Sequence, residues 1–306
     1  MKKTILTTLS LVIIAMTLQA QQLFVASYNI RYQNEWDTRD GNGWVKRCPV
    51  VCGQLNFEHP DIFGTQEVLK SQIDDMLQLL TDYDYIGRGR DDGQSAGEHA
   101  AIFYNRKRLQ LKEHGDFWLS ETPDVPGLGW DAACTRICTW GKFRDRQSRR
   151  TFYFFNLHMD HVGTVARREG AKLVVERIRQ IAKGKPVILT GDFNVDQNNE
   201  VYSIFSKSGL LNDSYVYAQQ RFAENGTFNA YNSELKTESR IDHVFVSPSF
   251  SVERYGVLTN CYWEEGEHSD ELGKGKDAPQ EINFAKYVRR LPSDHYPVFV
   301  HLRGEK

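Results

Sequence analysis

Eight short runs rich in β-branched and aromatic side chains recur along the chain: LFVASYN, YDYIG, AAIFY, RICTW, TFYFFNL, PVILT, IDHVFVS and PVFVHL. Each is bounded by Gly, Asp, Asn or Pro, the pattern of strands closed off by turns. Helical spacing appears in fewer places. VLKSQIDDMLQLL sets Leu69, Ile73, Met76, Leu77 and Leu80 on one face, and Val165 to Ala182 does the same with Leu173, Val174, Ile178 and Ile181. Pro49 interrupts the stretch after Trp44, which predicts a further helix starting at Pro49 and running through Val51 and Leu55 toward His59. Many strands with few helices imply an α/β chain of stacked sheets flanked by helices.

The polar residues at the ends of these runs carry the chemistry. Asn29 ends LFVASYN, Glu67 follows DIFGTQ, His158 ends TFYFFNL, and Asp192 with Asn194 follows PVILT. Asp242 opens IDHVFVS, and Asp294 with His295 precedes PVFVHL. An Asp beside Gly is by itself a turn former, and a lone His is usually surface or satisfied core. Six such clusters at strand ends are different, because strand ends that share one edge of a sandwich bring their side chains into one pocket. Carboxylates hold a hard cation, an imidazole handles protons or oxyanion charge, and an amide steadies phosphate, a set suited to cleaving phosphate esters.

Composition narrows the setting. With 306 residues, 40% apolar and 12% aromatic, and neither linker nor low-complexity tract, residues 21–306 read as one catalytic domain. Residues 1–20 read as an export signal: Lys2 and Lys3, an apolar stretch from Ile5 to Leu18, then Ala20 at a cleavage point before Gln21. The expected destination is periplasmic or extracellular, as a monomer without stable membrane association. Loss of Lys2 and Lys3 takes the formal charge from −2 to −4, so no general electrostatic pull on nucleic acid or anionic membrane is expected. Cys48, Cys52, Cys134, Cys138 and Cys261 lack the further Cys or His in register that zinc sites show. Cys134 and Cys138 lie in DAACTRICTW, an alternating stretch, where packing on one strand face explains them. Five is odd, so at least one thiol is unpaired, and the pairing of the rest is open.

The chain resembles the endonuclease/exonuclease/phosphatase superfamily of metal-dependent phosphoesterases over residues 23–303. The resemblance rests on SYNIR (27–31), GTQEV (64–68), GEHAAIFY (97–104), NLHMDH (156–161), TGDFN (190–194), SRIDH (239–243) and PSDHYP (292–297), with TGDFN and SDHYP the most specific. It implies a four-layered α/β sandwich, two mixed β-sheets face to face with flanking helices. It also implies that Glu67, Asn29 and Asp294 bind a divalent ion, magnesium with manganese as a substitute. Asp192 would orient or deprotonate water, and Asn194 would hydrogen-bond the phosphate. His295 would be oriented by Asp242 and His158 paired with Glu98, each imidazole able to carry positive charge.

His161 and Arg167, with Arg136 and the GRGRDDG segment at 87–93, resemble a bacterial subgroup of metal-dependent hydrolases. Arg136 and His161 are candidates for binding a substrate phosphate or sugar, and Arg167 reads as an exposed first-turn residue. Trp44, Trp130 and Trp263 fall between strands, as a platform for a ring or as buried lids. Residues 262–291 read as a long charged surface loop beside SDH. The expected activity is hydrolysis of a small or polymeric phosphate ester, foremost a phosphodiester in the manner of a nuclease. The alternatives are a phosphomonoester of a nucleotide or sugar, and a catalytically silent binding protein on the same fold.

Overall fold

The computed structural model describes residues 22–265, 279, 281 and 287–304. The leader at residues 1–20 lies outside the described residues, as does most of the stretch between 266 and 286. The strands are β1 (Gln22–Asn29), β2 (Ile62–Gln66), β3 (Tyr83–Ile86), β4 (Ile102–Asn105), β5 (Leu109–Trp118), β6 (Ile137–Asp145), β7 (Thr151–His158), β8 (Val187–Asp192), β9 (Asn212–Asp213), β10 (Gln220–Phe222), β11 (Asp242–Val246), β12 (Phe250–Val257), β13 (Tyr262–Glu265), β14 (Tyr287–Arg290) and β15 (Val298–Gly304). The helices are α1 (Glu35–Arg39), α2 (Trp44–Glu58), α3 (Lys70–Leu79), α4 (Thr164–Ala182), α5 (Glu200–Ser206) and α6 (Ser214–Tyr217). One sheet runs β10-β12-β15-β1-β2-β4-β3, a second runs β5-β6-β7-β8-β11-β9, and β13 pairs with β14 in a separate ribbon. Both large sheets are mixed: β1 is parallel to β2 and antiparallel to β15, while β7 is parallel to β8 and β11 antiparallel to it.

Alternation along the strands builds the layers. Val25, Ile62, Ile102, Phe152, Phe154, Ile188, Val244 and Val300 fill the space between the two sheets. Their neighbours point outward. Ala26, Tyr28, Phe63 and Phe103 pack under α2 and α3 with Trp44, Val51, Leu55, Ile73 and Met76. Phe155, Leu157, Leu189 and Phe245 pack under α4 and α5 with Val174, Ile178 and Phe205. The result is the expected four-layered sandwich, helix, sheet, sheet, helix.

The inward-facing positions change character along the strands, and that change makes the site. On β1 they read Leu23, Val25, Ser27, Asn29; on β7, Phe152, Phe154, Asn156, His158; on β8, Ile188, Thr190, Asp192. An apolar floor thus gives way to a buried polar layer and then to the predicted site residues. Asn156 is the centre of that layer. Its amide donates to the carbonyls of Thr65 (2.8 Å) and Ala101 (3.0 Å), and its oxygen accepts from Gln66 Nε2 (2.7 Å) and Thr190 Oγ1 (3.0 Å). One fully buried, fully satisfied side chain therefore joins both sheets. Gly64 makes the close approach possible, because a Cβ there would collide with Asn156 Oδ1 and Thr190 Oγ1.

Five local expectations are corrected. The helix begins at Trp44 rather than Pro49: Trp44 is buried with Nε1 on Asp75 (2.9 Å), and Pro49 falls on the exposed face with Val45 and Lys46. The missing N–H then lies on the solvent side, where a proline is tolerated. Seven strands go beyond the eight runs, β5 and β12 the longest of them. Polar Lys112, Glu113 and His114 sit on β5 at a sheet edge, and a register shift between Val252 and Arg254 breaks the alternation in β12. The ends of segment 262–291 form a β-ribbon, held by Arg290 to Glu264 (3.1 Å) and to the Asp40 carbonyl (2.9 Å). Finally, Cys134 precedes β6 instead of sharing a strand face with Cys138, and all five thiols are free. Trp44 lies buried in α2 and Trp263 exposed on β13.

Two substitutions test the polar layer. Asn156→Ala leaves Gln66 and Thr190 without their shared acceptor and should lower unfolding free energy by about 3 kcal/mol. Gly64→Ala should destabilise by at least about 1–3 kcal/mol through overpacking. Urea unfolding followed by tryptophan fluorescence reads both, and wild-type midpoints would show that the layer is not holding the sheets.

Candidate active site

The strand ends meet on one edge. Asn29, His158 and Asp192 are the last residues of β1, β7 and β8, Asp242 is the first of β11, and Glu67 directly follows β2. The β7–β8 register places His158 beside Asp192, and β11 places Asp242 opposite Asp192. Asp294 and His295 arrive from the segment before β15, where Ser293 Oγ donates to the Asn29 carbonyl (2.7 Å). Glu67 and Asp294 approach the same guanidinium nitrogen of Arg31, at 3.8 and 3.6 Å, so these two carboxylates face one space. Behind them Arg47, fully buried, donates to the carbonyls of Asn42 (2.7 Å), Ile30 (2.7 Å), Pro292 (3.0 Å) and Arg31 (3.1 Å).

Asp192 stands at the centre of the hydrogen bonds. Its Oδ1 accepts from the Asn194 backbone N–H (2.9 Å) and its Oδ2 from Asn29 Nδ2 (3.0 Å), with His158 Nε2 at 3.5 Å and His295 Nε2 at 3.7 Å. Burial, reinforced by the nearby Asp242 carboxylate, pushes the Asp192 pKa up to about 7. The two histidines differ. His295 Nδ1 bonds Asp242 Oδ2 at 2.8 Å; burial opposes its charge, but the Asp242 and Asp192 carboxylates outweigh burial and hold its pKa well above the usual range. His158 moves the other way, well below that range, through burial first and then the charges of Arg136 and Arg90.

The expected Glu98–His158 pair is therefore not a hydrogen bond. Glu98 Oε2 lies 3.8 Å from His158 Nδ1 and is taken by Arg90 Nη1 at 2.7 Å. Asn194 donates to His158 Nε2 (3.1 Å) and to the Met159 carbonyl (2.9 Å), which puts the His158 proton on Nδ1 and leaves that atom without a partner. His158 is thus a neutral imidazole, against the expectation that both could be charged. The Asn29 amide nitrogen faces Glu67 Oε1 (3.1 Å) and Asp192, while its oxygen accepts from the Arg31 N–H (3.0 Å). In this arrangement Asn29 orients two carboxylates and Asn194 orients a histidine.

A cavity of about 460 Å³ opens over these groups, lined also by Arg31, Tyr32, Arg90, Cys134, Arg136, His161 and Phe228. Arg31, Glu67 and Asn194 have positive φ (59°, 61° and 50°), the left-handed conformation that for side-chain-bearing residues concentrates at functional sites. Ligand atoms of Glu67, His158 and Asp192 lie within 4.8 Å of one another, as do those of Asp192, Asp242 and His295. Carboxylate oxygens on Glu67 and Asp294 in a half-open pocket fit a hard divalent cation that keeps some of its waters.

The model of the Endonuclease/Exonuclease/phosphatase family matches residues 26–295. The chain belongs to the endonuclease/exonuclease/phosphatase family. It is an enzyme of the phosphoesterase class, in a family whose members generally depend on a divalent metal. It is 49% identical to an endonuclease/exonuclease/phosphatase family protein from Bacteroides thetaiotaomicron, with a TM-score of 0.87 over 94% of this chain and 99% of that one. It is 50% identical to a mannosyl-6-phosphatase of the same organism, with a TM-score of 0.84 over 92% and 99%. An uncharacterized protein of Acanthamoeba polyphaga mimivirus is 32% identical over 270 residues, 84% of this chain and 91% of that protein. No helix among the described residues is long and apolar enough to cross a membrane.

All eleven residues singled out from the sequence lie in or directly beside this pocket. Arg167 is half-buried and donates to the Asp160 carbonyl (3.0 Å), away from the pocket lining. Arg31, Arg90, Tyr32 and Phe228 were not assigned roles; Arg31 and Arg90 stood inside the SYNIR and GRGRDDG motifs, while nothing local marked Tyr32 or Phe228. Asp192→Asn and His295→Gln should each lower kcat by roughly a hundredfold to ten-thousandfold in steady-state phosphatase assays. Wild-type turnover in either, with unchanged circular dichroism, would remove that residue from the reaction.

Proposed function

We propose that this chain is an exported, magnesium-dependent phosphomonoesterase acting on a sugar phosphate. The pocket carries this reading: about 460 Å³ suits one phosphorylated ring and lies in the usual range of small-molecule sites, about 300–1,000 Å³. A formal charge of −4 without Lys2 and Lys3 adds no field for gripping a polyanion. The 50% identity with a mannosyl-6-phosphatase supports the same choice. These observations move the reading from the phosphodiester first expected to the monoester.

Glu67 and Asp294 would hold the cation, which when bound supplies positive charge to the phosphoryl oxygens. Asp192 orients a water molecule and takes its proton as the water oxygen bonds to phosphorus. The ester P–O bond breaks in line, and the sugar oxygen leaves as a hydroxyl once it gains a proton from solvent. His295, charged and fixed by Asp242, and Arg31, fixed by Asp37 at 2.9 Å, stabilise the charge on the phosphoryl oxygens. His158, held neutral by burial, orients the reacting groups with Asn194.

With Mg2+ present, kcat/KM on a sugar 6-phosphate should exceed that on bis-p-nitrophenyl phosphate by at least about a hundredfold, a difference of nearly 3 kcal/mol in transition-state binding. A diester preference overturns the assignment. EDTA should abolish turnover and Mg2+ or Mn2+ restore it, with Glu67→Gln raising the half-saturating Mg2+ concentration about tenfold or more. Export rests on residues 1–20 and is checked by mass spectrometry of the secreted chain, which should begin at Gln21.

A further inference from the structure

We propose that Arg90, Glu98, Arg136 and His161 form a hydroxyl-recognition subsite that selects the sugar ring of the substrate, an inference that rests on the phosphomonoesterase reading. Arg136 is 5% exposed and lines the pocket. Its Nε lies 3.5 Å from Asp160 Oδ2 and its Nη2 donates to His161 Nδ1 at 3.0 Å, but its buried Nη1 has no hydrogen-bond partner. Arg90 repeats the pattern. Its Nη1 is on Glu98, while its buried Nε has no hydrogen-bond partner, the Asp91 carboxylate standing 3.8 Å away. A buried N–H left without an acceptor is costly, so native structures keep such groups where a ligand or water completes them.

Charge balance points to the ligand class. Each guanidinium has its own carboxylate: Glu98 for Arg90, and Asp160 for Arg136. Asp160 is itself fixed by the backbone N–H groups of Ala133, Val162 and Gly163. This wall has no net charge to attract a second phosphate. It offers instead spare N–H donors beside a carboxylate that hydrogen-bonds through Oε2. His161 adds another, since accepting at Nδ1 places its proton on Nε2 at an exposed position. Alternating donors and acceptors match neighbouring hydroxyls, each of which both donates and accepts.

The test compares a sugar 6-phosphate with p-nitrophenyl phosphate, which presents the same reacting group without hydroxyls. In Arg136→Met, kcat/KM on the sugar phosphate should fall about ten- to a hundredfold further than on p-nitrophenyl phosphate, mostly through KM. Arg136→Lys keeps the charge but loses the planar fork, so it should not restore the sugar preference. His161→Ala should shift the same ratio in the same direction, and it carries the comparison alone if Arg136→Met does not fold. Equal losses on both substrates, or full rescue by lysine, would overturn the subsite and leave the phosphomonoesterase reading standing. A wild-type enzyme that prefers diesters would overturn both.

Discussion

The amide of Asn156 holds the molecule's two halves in register. Its four hydrogen bonds reach carbonyls beside β2 and β4, a side chain on β2 and a side chain on β8. All four of its hydrogen-bonding positions are used, so the sheets approach here without orphaning the buried amide. Because inward-facing residues recur every second position, fixing Asn156 fixes His158, and fixing Thr190 fixes Asp192. A one-residue slip in either strand would turn these side chains to the opposite face. The site is therefore the top course of a core whose lower courses are apolar.

Above that layer, buried charge is divided rather than cancelled. Asp242 and Asp192 lie near one imidazole and outweigh its burial, raising the pKa of His295, while burial first and then the charges of Arg136 and Arg90 lower that of His158. Two histidines in one cavity are thus shifted in opposite directions, His158 chiefly by burial and His295 by carboxylates that outweigh burial. Glu67 and Asp294 form a separate pair of carboxyl groups that faces Arg31, at 3.8 and 3.6 Å.

Much of this was legible in the sequence because strand ends announce themselves. Asp192 and Asn194 terminate an unbroken apolar run, and Asp294 with His295 precede another, so both position and chemistry could be read locally. The layer order followed from the same alternation. Other features depend on residues far apart in the chain. Glu98 stands beside His99 in the sequence, yet its partner is decided by Arg90, which reaches it before His158 can. The charge on His158 depends on arginines from two other segments. Pro49 misled for a related reason: helix breaking is a rule about lost hydrogen bonds, and on the solvent face, with Trp44 and Arg47 anchoring the turn before it, the loss is tolerated.

The position of β15 ties the site to the sheet's long-range closure. This strand, nearly the last described part of the chain, lies between β1 and β12 in the interior of its sheet, and Arg47 reaches across to the Pro292 carbonyl just ahead of it. Closing that gap of 245 residues is slow compared with forming local hairpins. β15 is the strand that pairs with both β1 and β12 on the sides of each that it occupies. The stretch that fills the middle of this sheet also delivers Asp294 and His295, so the pairing of β15 and the completion of the site depend on the same residues.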